Sequence, residues 1–178
     1  MTHAIALKDI SPVTHDTYRL RFERPEGFDF APGQATDLAL DRDGWRQEAR
    51  PFTFTSQPED PDLEFTIKTY PDHEGVTDQI RTLTPGEYAL IGEPWGAIHD
   101  AGPGVFMAGG AGVTPFIPIL RRRARDGALD GCHLIFANTS DADIILRAEW
   151  EAMAGLRTTF PVDEGDPALP RGPVDADF

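Results

Sequence analysis

Alternating hydrophobic and polar positions dominate the first hundred residues. Tyr18, Leu20 and Phe22 alternate with charged residues, and this period of two predicts a half-buried strand over residues 17–24. One short helix is predicted at residues 76–83, ended by a Pro-Gly pair. Similar patterns and β-forming residues predict five further strands, at residues 4–10, 35–40, 50–56, 63–69 and 87–92. Six short strands separated by turns favour a closed antiparallel β-barrel.

The pattern changes after Pro103-Gly104. Compact apolar runs at residues 105–108 and 132–137 predict buried parallel strands. Helices are predicted at residues 115–126 and 143–154, and a third strand at residues 157–162. This alternation is typical of a parallel α/β sheet. We therefore predict two domains, a β-barrel at residues 1–100 and a nucleotide-binding α/β domain at residues 101–178. The segment from Asp163 to Phe178 is rich in Pro, Asp and Gly, so we expect it to be poorly ordered.

Charge and composition exclude several classes of partner. The formal net charge of −14 disfavours binding to nucleic acid or to an anionic membrane. No apolar run approaches the roughly 20 residues of a membrane span, and the N-terminus lacks a signal-peptide pattern. We therefore predict a cytoplasmic protein. We attribute the acidity to solubility; attraction to a basic partner is the alternative.

Cysteine and histidine usage indicates neither a disulfide nor a metal centre. A single cysteine, Cys132, excludes an internal disulfide, and we expect it to be buried in its strand. The five histidines show no metal-ligand spacing. No metal site is predicted.

The most informative motif is the glycine-rich run from Gly109 to Pro115, GGAGVTP. It follows one predicted strand and precedes a helix. Glycines let the backbone approach a ligand closely, and the amides at a helix start favour an anion such as a pyrophosphate. The alternative is a turn that only packs a helix on a sheet. The strand–loop–helix context favours nucleotide binding.

Two other segments are ordinary when taken singly. Residues 50–56, RPFTFTS, alternate aromatic and hydroxyl side chains after an arginine, which is also the pattern of a plain amphipathic strand. Gly75-Val76-Thr77 opens the predicted short helix, where free amides suit a phosphate, although the segment by itself favours an ordinary helix cap.

Together, and in this order, the motifs resemble those of the ferredoxin–NADP reductase superfamily, in particular its bacterial FAD-binding oxidoreductases. The resemblance covers essentially the whole chain. RPFT at residues 50–53 occupies the place of the family's flavin-binding Arg-x-Tyr-Ser motif. Gly75-Val76-Thr77 matches its Gly-x-Ser/Thr, residues 92–96 its Gly-x-Pro-x-Gly turn, and GGAGVTP its nicotinamide-nucleotide loop.

The resemblance implies FAD as cofactor, with FMN as the alternative, and NAD(P)H as electron donor. It implies that Arg50 pairs with the flavin pyrophosphate, that Phe52 packs on the isoalloxazine, and that Thr53 is the catalytic residue near the reactive N5. The other residues that it implies for cofactor binding are Pro51, Lys68, Thr69, Tyr70, Gly75, Val76, Thr77, Gly110, Ala111, Gly112, Val113, Thr114, Pro115, Asn138 and Thr139. The implied activity is hydride transfer from NAD(P)H to FAD, followed by single-electron transfer to a ferredoxin, a flavodoxin or a small acceptor.

The chain departs from the family pattern in three places. Phe52 replaces the usual tyrosine and Thr53 the usual serine. Family members also continue through a Cys-Gly-x-x motif, which this sequence does not contain. This third departure predicts that the α/β domain at residues 101–178 is C-terminally incomplete, so that the chain is a truncated form of a longer protein or has lost part of the nicotinamide site. It also favours an alternative function, that of a flavin-binding electron-transfer subunit of a larger complex without its own NAD(P)H oxidation.

The choice of nucleotide depends on charge. Arg121, Arg122 and Arg123 could reach a 2′-phosphate, but we expect them to form a solvated helix face. Asp141 and Asp143, close after Thr139, would repel that phosphate. The sequence therefore favours NADH over NADPH.

Overall fold

The first half of the chain forms a six-stranded antiparallel sheet in the computed structural model, which describes residues 2–70 and 73–163. Its strands are β1 (His3–Pro12), β2 (Thr17–Glu23), β3 (Ala35–Leu40), β4 (Arg50–Thr53), β5 (Asp62–Lys68) and β6 (Tyr88–Ile91). They are ordered β4-β3-β6-β1-β2-β5. A single-turn helix, α1 (Val76–Ile80), lies between β5 and β6 in sequence.

The two edge strands of this sheet approach each other, so the sheet is a nearly closed barrel. Phe54, just after β4, forms an isolated antiparallel bridge with Phe65 of β5, and the Thr55 N–H donates to the Glu64 carbonyl at 2.7 Å. The regular strand therefore ends at Thr53 rather than at the predicted residue 56. Phe54 and Phe65 are fully buried, with ring centroids 5.2 Å apart, which places the closure within the barrel core.

The second half forms a parallel sheet. Strand β7 (Val105–Gly109), strand β8 (His133–Ala137) and strand β9 (Arg157–Thr159) pair in that order. Helix α2 (Phe116–Arg125) connects β7 to β8, and helix α3 (Arg147–Ala152) precedes β9. The predicted fold class, a six-stranded antiparallel barrel followed by a parallel α/β unit, is confirmed, and Cys132 is buried as expected.

The segment predicted as one helix at residues 143–154 is divided. Residues Asp141–Asp143 form a short 3₁₀ turn, and α3 begins only after Leu146. The cause is local, because Asp143 accepts hydrogen bonds from the backbone and side chain of Ser140. Leu146 then adopts a left-handed conformation with φ of 57°, which a continuous α-helix cannot contain.

Each half has its own hydrophobic core. The barrel core includes Phe22, Phe54 and Phe65, and the core of the α/β half includes Phe136 and Trp150. The two cores are separate, and Val13 of the barrel half packs against the core of the α/β half. A boundary near residue 101 stays a prediction.

The prediction of a solvated face for Arg121, Arg122 and Arg123 is wrong for two of the three. Arg121 reaches across to the barrel, where it donates to the Glu64 carboxylate at 2.8 Å and to the Thr55 carbonyl at 2.9 Å. Arg123 is buried and pairs with Asp100 at 2.6 Å. Only Arg122 keeps a side chain that is about a third exposed, 34%.

Within residues 2–70 and 73–163, none of the helices has both the length and the apolar character needed to cross a membrane. The tail that we expected to be poorly ordered lies, from residue 164 onward, outside the described residues.

Candidate functional site

A groove of about 180 Å³ lies where the barrel meets the glycine-rich loop, and we call it the flavin groove. The end of β4, the end of β5, the start of α1 and the loop after β7 all contribute to it. Its lining residues are Pro51, Phe52, Thr53, Thr66, Ile67, Lys68, Tyr70, Thr77, Ala111 and Thr114. Eight of these ten residues are predicted from the sequence to bind a cofactor, whereas Thr66 and Ile67 are not.

The glycine-rich loop has the geometry that its sequence indicates. After β7, Gly110–Val113 form a single 3₁₀ turn, and Pro115 precedes the first residue of α2. Gly110 has φ of +48°, a conformation that side-chain-bearing residues adopt at a cost. Gly112 is exposed, whereas Val113 is fully buried. The loop therefore presents backbone to the solvent-facing side and fastens itself to the core through Val113.

A second cavity, of about 340 Å³, lies at the carboxyl ends of β7 and β8, and we call it the nucleotide cleft. In open α/β sheets, ligands bind at this end of the strands. The lining residues are Lys68, Gly110, Ala137, Asn138, Thr139, Asp143, Pro161 and Asp163. Lys68 lines both this cleft and the flavin groove, so the two cavities are adjacent.

Lys68 connects the two halves electrostatically. Its ammonium lies 2.9 Å from Asp16 Oδ2, on the turn between β1 and β2, and 3.4 Å from Asp143 Oδ1 in the α/β half. Partial burial by itself lowers the Lys68 pKa, but hydrogen bonding and charge from the two carboxylates outweigh it and raise that pKa above its usual range. Lys68 is therefore protonated at neutral pH.

The two carboxylates respond in the opposite sense. Partial burial by itself would raise the pKa of Asp16 and of Asp143. For Asp16 the hydrogen bond from Lys68 reverses this effect, and for Asp143 the hydrogen bond from Ser140 and the Lys68 charge do so. Both pKa values lie below their usual range, and both groups carry a negative charge at neutral pH.

His15 adds an imidazole beside the same carboxylates. Its Nε2 lies 3.6 Å from Asp16 and 3.8 Å from Asp143, and ligand atoms of the three residues lie within 4.8 Å of one another. The sequence spacing did not predict this grouping, because Asp143 lies far along the chain. The Lys68 ammonium already contacts both carboxylates, so the cluster has its own cation.

The remaining residues that were predicted to bind a cofactor differ in their exposure and in their contacts. Arg50 is exposed at the start of β4 and donates to the Ala49 carbonyl and to Glu48. Thr69 is buried, and its hydroxyl donates to the Asp16 carbonyl at 2.9 Å. Val76 lies in the barrel core, and Gly75 precedes α1.

The chemistry of the flavin groove suits a flat, partly polar ring system. Phe52 and Ile67 provide an apolar surface, and hydroxyl groups come from Thr53, Thr77 and Thr114. An aromatic side chain with a few hydrogen-bonding groups at its edge is the usual composition of a cofactor site. The residues present therefore fit a flavin.

Family models match most of the chain. Residues 2–89 match an FAD-binding domain, and residues 106–169 match an oxidoreductase NAD-binding domain. The first match covers the barrel with β4, β5 and α1. The second covers the parallel sheet with the glycine-rich loop.

Individual relatives agree with these matches. The chain is 31% identical to ferredoxin–NADP reductase B of Sorangium cellulosum, over 84% of this chain and 62% of that protein. It is 28% identical to NADH-cytochrome b5 reductase 2 of Mycosarcoma maydis, over 93% of this chain and 51% of that protein. The chain thus spans about half the length of several curated relatives that it matches.

A solved structure agrees on the fold. The ferredoxin NADP+ reductase from Neisseria gonorrhoeae with bound FAD and NADP superposes with a TM-score of 0.83 at 18% identity, over 97% of this chain and 73% of that one. The order of the elements, the sequence motifs and the family models therefore all indicate the same family. The chain belongs to the ferredoxin–NADP reductase superfamily and has an FAD-binding domain followed by an NAD-binding domain.

Proposed function

We infer that this chain is an oxidoreductase that binds FAD in the flavin groove and NAD(P)H in the nucleotide cleft. Electrons pass from the nicotinamide to the flavin and then to a separate acceptor.

One observation carries the proposal. The glycine-rich loop lines both cavities, Gly110 the nucleotide cleft and Ala111 with Thr114 the flavin groove. Lys68 also lines both. Hydride transfer requires the reacting atoms of the two rings to approach within about 3–3.5 Å, and the adjacency of the two cavities supports such an approach.

The bound flavin would accept a hydride and release electrons one at a time, while the protein binds and orients. Phe52 would pack on the ring, and the Thr53 hydroxyl would donate a hydrogen bond at its edge. Arg50 and the amides that open α1 would offset the charge of the phosphates. The amides of the glycine-rich loop would do the same for the nicotinamide nucleotide.

The acceptor is proposed by class. Relatives are named as reductases of ferredoxin and of cytochrome b5, so we propose a small one-electron protein of this kind, or a flavodoxin. The net charge of −14 opposes an acidic partner at long range, and we therefore expect its association rate to increase with ionic strength.

An absorbance spectrum of the purified protein tests the proposal directly. After addition of FAD, flavin bands should be retained on gel filtration and should bleach on anaerobic addition of NADH or NADPH. Bands that persist with both nucleotides would support the electron-transfer subunit instead. Failure to retain FAD would contradict the assignment of the groove.

Replacing Thr53 with alanine should slow flavin reduction about tenfold in single-turnover measurements, because a hydrogen bond to the reacting ring is lost. The dissociation constant for FAD should change less than about threefold, since Phe52 and the phosphate contacts remain. Thr53→Ser keeps the hydroxyl and should restore the rate. Equal rates for Thr53→Ala and the wild type would exclude this role.

Replacing Gly112 with alanine should weaken nucleotide binding about tenfold without loss of stability. A Cβ atom at Gly112 meets no protein atom within 4 Å, so the fold tolerates it, but a phosphate over the loop would not. Gly104→Ala is the matched control, because its Cβ also meets open space and lies before β7. Titration with NAD+ and NADP+ measures the effect; unchanged affinity in Gly112→Ala would place the phosphates elsewhere.

A further inference from the structure

A cavity of about 400 Å³ lies between the two halves of the chain, and we call it the seam cavity. Pro12, Val13 and Arg19 line it from the barrel, and residues at the start of α3 and just before it line it from the α/β half. None of its lining residues also lines the flavin groove or the nucleotide cleft. The seam cavity is therefore separate from both proposed cofactor sites, and its volume is in the range of small-molecule sites.

Part of the seam cavity is apolar. Ile144 is buried in the core of the α/β half, and Val13 and Leu146 are partly buried and pack against the same core. Val13 belongs to the barrel half, whereas Leu146 directly precedes α3. An apolar group in the cavity would thus contact both halves, and burial of its surface would favour binding.

Arg19 brings a positive charge without a partner to this cavity. It lies on β2, and among residues 2–70 and 73–163 its buried Nε has no hydrogen-bond partner. Its Nη2 reaches only the Ser11 hydroxyl, at 3.5 Å. Nε and Nη2 are a parallel pair of donors that a carboxylate can bind with both oxygens. Because a charged donor that is buried without an acceptor is costly, a carboxylate at this edge of the guanidinium is favoured.

The other charged groups that line the seam cavity are already paired. The two carboxylate oxygens of Glu149 accept from Arg121, at 2.6 and 3.0 Å. Arg147 donates to Glu151 at 2.9 Å. The cavity therefore has one unbalanced positive charge, on Arg19, in a chain whose net charge is −14. One carboxylate matches this charge, whereas a phosphate monoester would bring about −1.5 to −2.

We propose that the seam cavity binds a small carboxylic acid with a compact apolar body, of the size of an aromatic acid. Arg19 pairs with the carboxylate, and Val13, Ile144 and Leu146 contact the apolar body. This site goes beyond the proposed function and does not depend on it. Because the bound acid contacts both halves, it stabilises their docked arrangement, and the melting temperature rises with its concentration.

The test compares naphthalene-2-carboxylate with naphthalene-2-carboxamide by isothermal titration calorimetry on the full chain. The carboxylate should bind at least about tenfold more tightly than the uncharged amide. Arg19→Gln removes the charge and should abolish this preference. Arg21→Gln is the matched control, because Arg21 is on the same face of β2, pairs with Asp9 and lies outside the cavity lining; it should leave the preference unchanged.

A second variant tests the cavity without changing its charge. Ala148 is exposed and lines the cavity, so Ala148→Leu narrows it while keeping a good helix former. This variant should weaken binding of the carboxylate about tenfold and leave the melting temperature of the unliganded protein nearly unchanged. Thermal unfolding followed by circular dichroism shows whether each variant is folded.

Competition with the cofactors locates the bound acid. Binding that persists in the presence of both FAD and NAD+ supports the seam cavity, whereas displacement by either would place the acid in a cofactor site and overturn the proposal. Equal affinities for the two naphthalene compounds, or an unchanged preference in Arg19→Gln, would also overturn it. The proposed function is judged separately, by the retention and bleaching of the flavin bands.

Discussion

Replacing Arg121 with methionine should lower the free energy of unfolding by about 3 kcal/mol, the low end of the range for breaking a buried ion pair. The guanidinium lies 2.8 Å from Glu64 Oε1 in the barrel and 2.6 Å from Glu149 Oε1 of α3. Burial by itself lowers the Arg121 pKa, but the two carboxylates outweigh it and raise that pKa above its usual range. Its removal leaves two partly buried carboxylates without a counter-ion.

Equilibrium unfolding in urea, followed by circular dichroism, measures this change. Arg122→Met is the matched control, because Arg122 is on the same helix and pairs with Glu59 at a more exposed position; it should cost less than about 1 kcal/mol. A triple variant in which Glu64 and Glu149 also become glutamine should recover much of the loss, since no charge is then left unpaired. Equal losses in Arg121→Met and Arg122→Met would show that the Arg121 network does not hold the halves together.

Replacing Gly33 with alanine should cost about 3 kcal/mol for a different reason. Gly33 has φ of +97°, and an added Cβ would lie 2.5 Å from the Ile98 carbonyl oxygen and 3.3 Å from Ile119 Cδ1. The backbone conformation by itself costs about 1–2 kcal/mol for a side-chain-bearing residue. The remaining cost comes from displacing the segment that connects the barrel to β7 and from disturbing α2.

Gly27→Ala separates the two contributions. Gly27 also has a positive φ, +71°, but its added Cβ meets no atom within 4 Å. The free energy of unfolding of Gly27→Ala should fall only by the cost of the backbone conformation, about 1 kcal/mol. Similar urea midpoints and slopes for the two variants would contradict the close approach between Gly33 and Ile98.

The flavin side of the candidate site was largely predictable. Phe52, Thr53 and Thr77 all line the groove, and each lies within a short motif that the family resemblance identifies. The partners of Lys68 were not predictable. Asp16 lies on a turn of the barrel and Asp143 on a turn of the other half, and no pattern in either segment refers to the other.

The ion-pair partners of the three consecutive arginines of α2 were not predictable from the sequence either. Their spacing indicates a charged helix face, but it does not reveal that Glu64 and Asp100 approach that face from outside the helix. The predicted helix at residues 143–154 also failed for a specific reason. The Ser140–Asp143 hydrogen bonds close a 3₁₀ turn, and Leu146 then turns left-handed, which hydrophobic periodicity does not report.

The sequence by itself determined the barrel, the parallel α/β half, their order and the glycine-rich loop. The strands and helices that build these units follow from patterns between residues two to four positions apart, which periodicity and turn residues describe. Only the tertiary structure decided that β4 ends at Thr53, that Arg121 joins the halves, and that Asp143 faces the nucleotide cleft. Those features depend on which surfaces meet when two separate cores dock, and burial then fixes the partner and the charge state of each group.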